Sequence, residues 1–276
     1  INFNNVTKVE NVTIGTAIGK TAAGTAEIIT LNVSTDITST TAQTINLDGS
    51  IITDSLDTIN ITNGNTSTTT KFSISGGAGA DTLAGGGGAD TISGGGGTDQ
   101  ITGGIGADVL TGGADNDTFI YSVDKAQTLI PSGSAAADTI TDFTTGADAI
   151  TISLAVAGAY VYNAKYLGTA TSNADAMSLL SSKPGEYFFN TTTKQLVMDV
   201  NGDGLIQAND LYIGMTDVTA LTTGNAVVTV TGATLNGANN VYATGSSGDD
   251  TFTMTPANWD ASDTIDGGAG NDTILA

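Results

Sequence analysis

The chain has no cysteine, no histidine and no arginine. Without cysteine no disulfide can staple it, and without histidine zinc-protease, Ser-His-Asp and Cys-His catalytic arrangements are excluded within it. Aromatics make up 5% of the 276 residues, prolines number three, and no apolar run is long enough for a membrane-spanning helix. Positive charge is equally scarce: seven lysines face 28 acidic residues, for a formal net charge of −21. Phosphate backbones and anionic bilayers are poor partners for such a surface, which argues against nucleic-acid binding and membrane insertion. Ile1-Asn2-Phe3 carries no basic leader, so the chain is expected to be the interior of a longer protein, or an export substrate read from its C-terminus. A surface this acidic repels itself, and folding is expected to be coupled to cation binding.

What the chain has in abundance is glycine and aspartate in phase. From Gly76 to Ile120 five nine-residue units follow without a gap, each of the form Gly-Gly-x-Gly-x-Asp-x-apolar-x. The first unit supplies Gly76, Gly77, Gly79 and Asp81, and the second Gly85, Gly86, Gly88 and Asp90. The third supplies Gly94, Gly95, Gly97 and Asp99, and the fourth Gly103, Gly104, Gly106 and Asp108. In the fifth, Gly112 and Asp117 keep the pattern while Asp115 stands at the fourth position. The apolar position holds Leu83, Ile92, Ile101, Leu110 and Phe119. Three residues around it suit a short strand, and the glycine-rich part suits a tight turn. Two units then make one coil, with Leu83, Ile101 and Phe119 on one sheet and Ile92 and Leu110 on the other. One apolar residue in nine is too little to offset the entropy of ordering such turns. Carboxylates and turn carbonyls facing the groove between coils would form an all-oxygen cage suited to calcium. A flexible glycine-rich linker is the bland alternative, but it predicts neither the phase nor the apolar eighth position.

These residues resemble the RTX family, the calcium-binding nonapeptide repeats of bacterial proteins exported by type I secretion. The resemblance implies an all-β fold, a right-handed parallel β-roll or β-solenoid with several Ca2+ ions between successive turns. It also implies a block that is disordered before export and folds outside the cell. Gln100, after Asp99, should leave the cage intact because that position is not a ligand in the family.

Residues 1–75 carry short pieces at Val9–Ile14, Glu27–Val33, Gln43–Leu47, Asp57–Thr62 and Lys71–Ser75, with apolar residues at period two. They predict a β-solenoid feeding into the repeats, with a small β-sandwich as the rival. The Asn-x-Ser/Thr triplets at Asn5, Asn11, Asn32, Asn60, Asn65 and Asn190 fit glycosylation acceptors by pattern, although a composition this rich in Asn and Thr produces them by coincidence. Ala137–Ser153, with Asp138, Asp142 and Asp148 among Ile140, Phe143, Ile150 and Ile152, resembles the segment that closes RTX blocks. A surface hairpin is the alternative there.

Residues 154–243 form an insert of mixed α/β character. Tyr160, Tyr162 and Tyr166 are expected to pack on a sheet. Asn173–Ser182 predicts a helix capped by Ser172 or Asn173, with Ala176, Leu179 and Leu180 on one face. A hairpin pairing Gly185–Phe189 with Gln195–Met198 leads into DVNGDGLIQAND. There Asp199, Asn201 and Asp203 sit at positions 1, 3 and 5, Gly204 permits the bend, Leu205 offers a carbonyl, and Asp210 closes at position 12. This EF-hand-like loop resembles those of dockerins and RTX surface proteins, and is expected to be a structural calcium clip joining Met198 to Leu211–Ile213. A plain Asx/Gly turn is the alternative. From 244 a second, shorter block begins: Gly245, Gly248 and Asp250 form a degenerate unit, Asp263 resumes the phase after Trp259, and Gly267, Gly268, Gly270 and Asp272 form a full one. It stops at Ala276 without a capping segment, as a truncated block would.

The organisation thus expected is 1–75, 76–153, 154–243 and 244–276. As a whole it most resembles RTX-type surface-layer proteins, secreted subunits that tile a bacterial cell surface. That implies a non-enzymatic, calcium-dependent structural role with self-association into a two-dimensional lattice or other homo-oligomer, and possible contact with cell-surface glycan. An adhesin or biofilm-matrix spacer, and the non-catalytic RTX region of a secreted enzyme, are the competing readings.

Overall fold

The computed structural model describes residues 11–13, 26–33, 43–124, 137–155, 162–163, 166–181, 185–221, 226–231, 242–244, 251–253, 264–266, 271 and 273–275. The chain forms two compact units: Ile1–Ile120 with Ala136–Asp148 and Met215–Asp217, and Tyr121–Ala135 with Ala149–Gly214 and Val218–Ala276.

In the first unit the chain alternates between two sheets. One contains β1 (Asn11–Thr13), β3 (Gln43–Asp48), β5 (Thr70–Ser75), β7 (Thr91–Gly95), β9 (Val109–Gly113) and β11 (Asp138–Ile140), in that order. The other contains β2 (Ile28–Val33), β4 (Thr58–Asn63), β6 (Thr82–Gly87), β8 (Gln100–Ile105) and the start of β10 (Thr118–Asp124). Each strand pairs with the next but one in sequence, and these pairings are parallel. Parallel pairing follows from coiling, since each coil returns the chain to its starting edge in the same direction.

Two apolar columns run through the coils without a break. Leu31, Ile61, Leu83, Ile101 and Phe119 stack on one sheet, and Leu47, Ile74, Ile92, Leu110 and Ile140 on the other. All ten side chains are buried. The two groups expected from the nonapeptide phase are therefore the ones that stack. The same columns extend upstream of the repeats, so the region before Gly76 is built as repeating parallel strands. The antiparallel pairing a sandwich would need is absent there among the described residues. Downstream, Phe143 is buried with its ring 6.2 Å from that of Phe119.

The second unit holds a different core. Strands β14 (Tyr166–Ala170), β15 (Glu186–Asn190), β16 (Gln195–Asp199) and β17 (Leu211–Met215) lie side by side, with β15, β16 and β17 antiparallel. Phe188, Phe189, Leu196, Val197, Met198, Leu211 and Ile213 are fully buried, and the Tyr166 and Tyr187 rings lie 5.4 Å apart. Parallel pairs join β12 (Ala149–Ala155) to β18 (Ala226–Thr231), and β13 (Tyr162–Asn163) to β19 (Tyr242–Thr244) and then β21 (Thr264–Asp266). A further parallel pair joins β20 (Thr251–Thr253) to β22 (Thr273–Leu275). Tyr160 lies outside the described residues.

The helix is shorter than its sequence suggests. Ser172 caps it as expected, accepting from the Asp175 N–H, but α1 covers only Asn173–Met177. Past its end, buried Glu186 accepts from both the N–H and the hydroxyl of Ser181. Ala176 is buried, whereas Leu179 is 47% exposed and does not share its face. Among the described residues no helix is long and apolar enough to cross a membrane. Asn65 and Asn190, two of the triplet asparagines, have buried side chains whose oxygens accept turn N–H groups.

Candidate metal centres

The repeat aspartates form two rows of stacked carboxylates. In each, Oδ1 accepts a backbone N–H from the preceding coil: Asp81 from Ile59 (2.7 Å), Asp99 from Asp81 (2.8 Å) and Asp117 from Asp99 (2.9 Å). In the other row Asp90 accepts from Phe72 (2.7 Å), Asp108 from Asp90 (2.8 Å) and Asp138 from Asp108 (2.9 Å). Asp148 extends the first row by accepting from Asp117 at 2.9 Å. Every aspartate thus closes one rung of the ladder, a charge-assisted bond stronger than a neutral one.

The second oxygen is a separate matter. Oδ2 of Asp90, Asp99, Asp108 and Asp117 is buried and receives no hydrogen bond. Each points to the first glycine of its own unit. A Cβ built on Gly76, Gly85, Gly94, Gly103 or Gly112 would overlap the Oδ2 of Asp81, Asp90, Asp99, Asp108 or Asp117 respectively. At Gly76, Gly85 and Gly94 it would also overlap the carbonyl oxygen of Gly94, Gly103 or Gly112, one coil on. The cradles of Asp90, Asp99, Asp108 and Asp117 are therefore lined by oxygen acceptors with no donor facing the Oδ2, and only a proton or a cation can satisfy them. Burial pushes the Asp90 and Asp99 carboxyls up to about 7 and those of Asp108 and Asp117 up to about 6, with neighbouring carboxylates adding to the rise at Asp90, Asp99 and Asp117. Burial raises Asp81 as well, against the hydrogen bonds from Gly77 and Ile59. Among the described residues no three acidic side chains converge, so backbone carbonyls must complete the donor set. Such a set, all oxygen and mostly neutral, fits a hard divalent cation of calcium's kind.

The remaining glycines shape the turns. Gly86, Gly95 and Gly104, at the second position, and Gly88, Gly97 and Gly106, at the fourth, have positive φ, where a side chain would be strained. Asp115 adopts the same region at φ 76, so the fifth turn keeps its path without glycine, and its Oδ2 accepts the Gly97 N–H at 3.3 Å. Gly77 and Gly79 pack against Ile52 and the Asp57 carbonyl of the coil before the repeats. Asp142 spends both oxygens on the N–H groups of Gly112 (2.9 Å) and Gly113 (2.8 Å), so it braces the last repeat turn. Two ladder members were invisible to the periodicity: Asp148, and Asp57, whose Oδ1 accepts the Glu27 N–H at 3.1 Å. Neither is nine residues from a repeat aspartate. Only an aspartate placed just before a strand could have pointed to them.

The loop between β16 and β17 connects antiparallel strands, with Met198 opposite Leu211. Asp199 accepts from Gly202 (2.6 Å) and Gly204 (2.9 Å), and Asp210 from Val200 (3.2 Å) and Gln207 (2.7 Å). Asn201 accepts from Asp203, and Asp203 from Leu205, at 2.9 and 2.8 Å. The backbone thereby folds around the loop side chains, and Gly202 and Gly204 take the positive φ the bends need. Burial and the neighbouring Asp199 and Asp203 charges raise the Asp210 carboxyl to about 6. Ile206 is half-buried and Leu205 exposed. Gly245, Gly248, Asp250, Asp263, Gly267, Gly268, Gly270 and Asp272 lie outside the described residues, between strands that pair in parallel.

No curated protein matches the chain. A family model, described as the RTX calcium-binding nonapeptide repeat (4 copies), matches residues 73–101, 93–122 and 260–276. The matched residues include Asp81, Asp90, Asp99, Asp108 and Asp117 and their glycine cradles. Such repeats are non-catalytic structural modules, typically of extracellular proteins. This chain carries RTX calcium-binding nonapeptide repeats within a largely parallel, repeating β-architecture.

Proposed function

We propose that the protein is a secreted, calcium-dependent structural component of a bacterial cell surface, whose coils close into a right-handed roll when loaded and whose copies assemble laterally into a surface layer. The observation that carries the calcium reading is the set of buried, donor-free Oδ2 atoms on Asp90, Asp99, Asp108 and Asp117. Bound calcium supplies the positive charge that keeps these carboxylates ionised inside the coil. The aspartates then hold the turns through Oδ2 while Oδ1 holds the strand of the coil before. Asp199, Asn201, Asp203, Leu205 and Asp210 would hold a further ion, clipping β16 to β17. The division into a coil region before Gly76, a first repeat block, an insert and a second block follows this distribution of donors. A strongly acidic stack of coils with repeated edges suits lateral assembly of identical copies through shared cations.

The test is a calcium titration followed by circular dichroism and by electron microscopy of negatively stained protein. β-structure should rise with calcium and planar arrays should appear. A flat dichroism signal would discard the coupled folding. Calcium-folded protein that stays monomeric and binds cells or glycans instead would replace the layer with an adhesin.

A further inference from the structure

The odd row of carboxylates, Asp81, Asp99, Asp117 and Asp148, is uniform at Oδ1 but not at Oδ2. In the two inner members, Asp99 and Asp117, Oδ2 is buried and has no donor. In the two outer members it is taken by an N–H four residues earlier in the same turn. Gly77 donates to Asp81 Oδ2 at 2.6 Å, and Thr144 donates to Asp148 Oδ2 at 2.7 Å. The backbone explains the difference at the first end. Gly86, Gly95, Gly104 and Gly113 have positive φ, while Gly77, packed on Ile52, does not, and its N–H turns to the carboxylate. At the other end the chain leaves the nonapeptide pattern, and the Thr144–Asp148 turn closes on itself with the Asp148 N–H bonded to the Thr144 carbonyl at 2.9 Å.

The even row is closed at its start by a different side chain. The carbonyl of Gly103 lines the cradle of Gly85. Its counterpart one coil earlier, the Gly85 carbonyl, is taken by the carboxamide N–H of Asn63, whose own oxygen accepts from Asn65 at 2.9 Å. At both ends of the odd row and at the start of the even row, protein donors therefore occupy the positions that inner coils leave to a cation.

We infer that calcium loads the rungs anchored on Asp90, Asp99, Asp108 and Asp117, and that Asp81 and Asp148, at the two ends of the odd row, are metal-free end caps. This rests on the calcium reading of the block and sets its limits. A carboxylate oxygen already receiving a short N–H bond gains little from a cation, whereas a buried oxygen with no partner gains the full cost of its isolation. The caps also give the ladder defined ends, so that loading does not propagate into the apolar coils upstream.

The experiment counts ions by native mass spectrometry on the full chain, with parallel calcium titrations, for Asp99→Asn, Asp81→Asn and Asp148→Asn. Asparagine keeps an oxygen for the ladder bond and removes the charge. Asp99→Asn should carry at least one ion fewer than the wild type and need roughly ten-fold more calcium to fold. Asp81→Asn and Asp148→Asn should keep the wild-type ion count, and their titration midpoints should move less than about two-fold, since no ligand is lost. The two caps lie at opposite ends, so one variant that fails to fold leaves the other to decide. Loss of an ion from either cap variant, to the extent seen for Asp99→Asn, overturns the inference. If Asp99→Asn also keeps the wild-type count, the calcium reading of the block falls, and the inference with it.

Discussion

The coils before Gly76 and the coils after it share one ladder but fill its interior differently. Upstream, each inner strand face carries two apolar side chains, Ile45 with Leu47, Ile59 with Ile61, and Phe72 with Ile74, all buried. In the repeats only one survives, and the register shows what replaces the other. The Ile59 N–H meets the Asp81 carboxylate and the Phe72 N–H meets that of Asp90, so each column switches from hydrocarbon to carboxylate at the first repeat. An apolar side chain needs only to be enclosed. A buried carboxylate needs a counter-charge, and without one it protonates or the coil opens. One architecture is thus held by two chemistries, one indifferent to cations and the other governed by them.

Chelation should separate the two most sharply. In EDTA the amides of β6 to β10 should lose their protection from hydrogen exchange while those of β3 to β5 keep most of theirs. Equal loss in both regions, read by mass spectrometry, would erase the distinction. Acidity ranks next because four carboxyls act together. Their folded values of about 6 to 7 lie above the ordinary 3.8, so without metal they contribute stability that is complete below about 4 and lost as pH rises through 6 to 7. Acidification from pH 8 to 5 should therefore raise the melting temperature of the chelated repeats. With calcium the sign reverses, because protons displace the ions. Melting curves in both conditions test the pair of signs.

A substitution in the apolar part should ignore calcium. Phe72→Ala should cost about 3–5 kcal/mol in denaturant melts, by a similar amount with and without the ion. A cost that vanishes in EDTA would mean that the upstream coils depend on the repeats. Smallest is Asp199→Ala, which frees the Gly202 and Gly204 N–H groups at a cost of about 1–3 kcal/mol. Its effect should stay within the β15–β17 hairpin, visible as faster exchange there and unchanged exchange in β6 to β10.

Much of this was readable from the chain. The nine-residue phase specified the apolar columns and their division between sheets, because a strict period leaves one register that buries the eighth residue of every unit. Before Gly76 the alternation located strands to within a residue or two. It could not choose between a solenoid and a sandwich, since period two is the same for parallel and antiparallel partners. The helix was over-read because Ser172 and the alanines signal where it starts, while its end at Met177 carries no such signal in the sequence. At the site, periodicity named Asp81 with the inner aspartates, and the closing segment added Asp142; the structure shows that the Asp81 Oδ2 and both Asp142 oxygens accept backbone N–H groups, which no spacing announces. Asn63 and Asp57 left no trace, being ordinary residues whose roles depend on which coil lies above them.

One carboxylate per turn carries two duties at right angles to each other, one oxygen toward the strand and one toward the cradle. No other natural side chain divides itself that way at that length. Asparagine turns one of the two acceptors into a donor, glutamate moves both by a methylene, and serine offers only one. Sequence drift in this block should therefore be free at the exposed seventh position, Thr82, Thr91, Gln100 and Val109 in the first four units, and nearly frozen at the sixth, so that a five-unit stretch can vary yet remain recognisable from a single column.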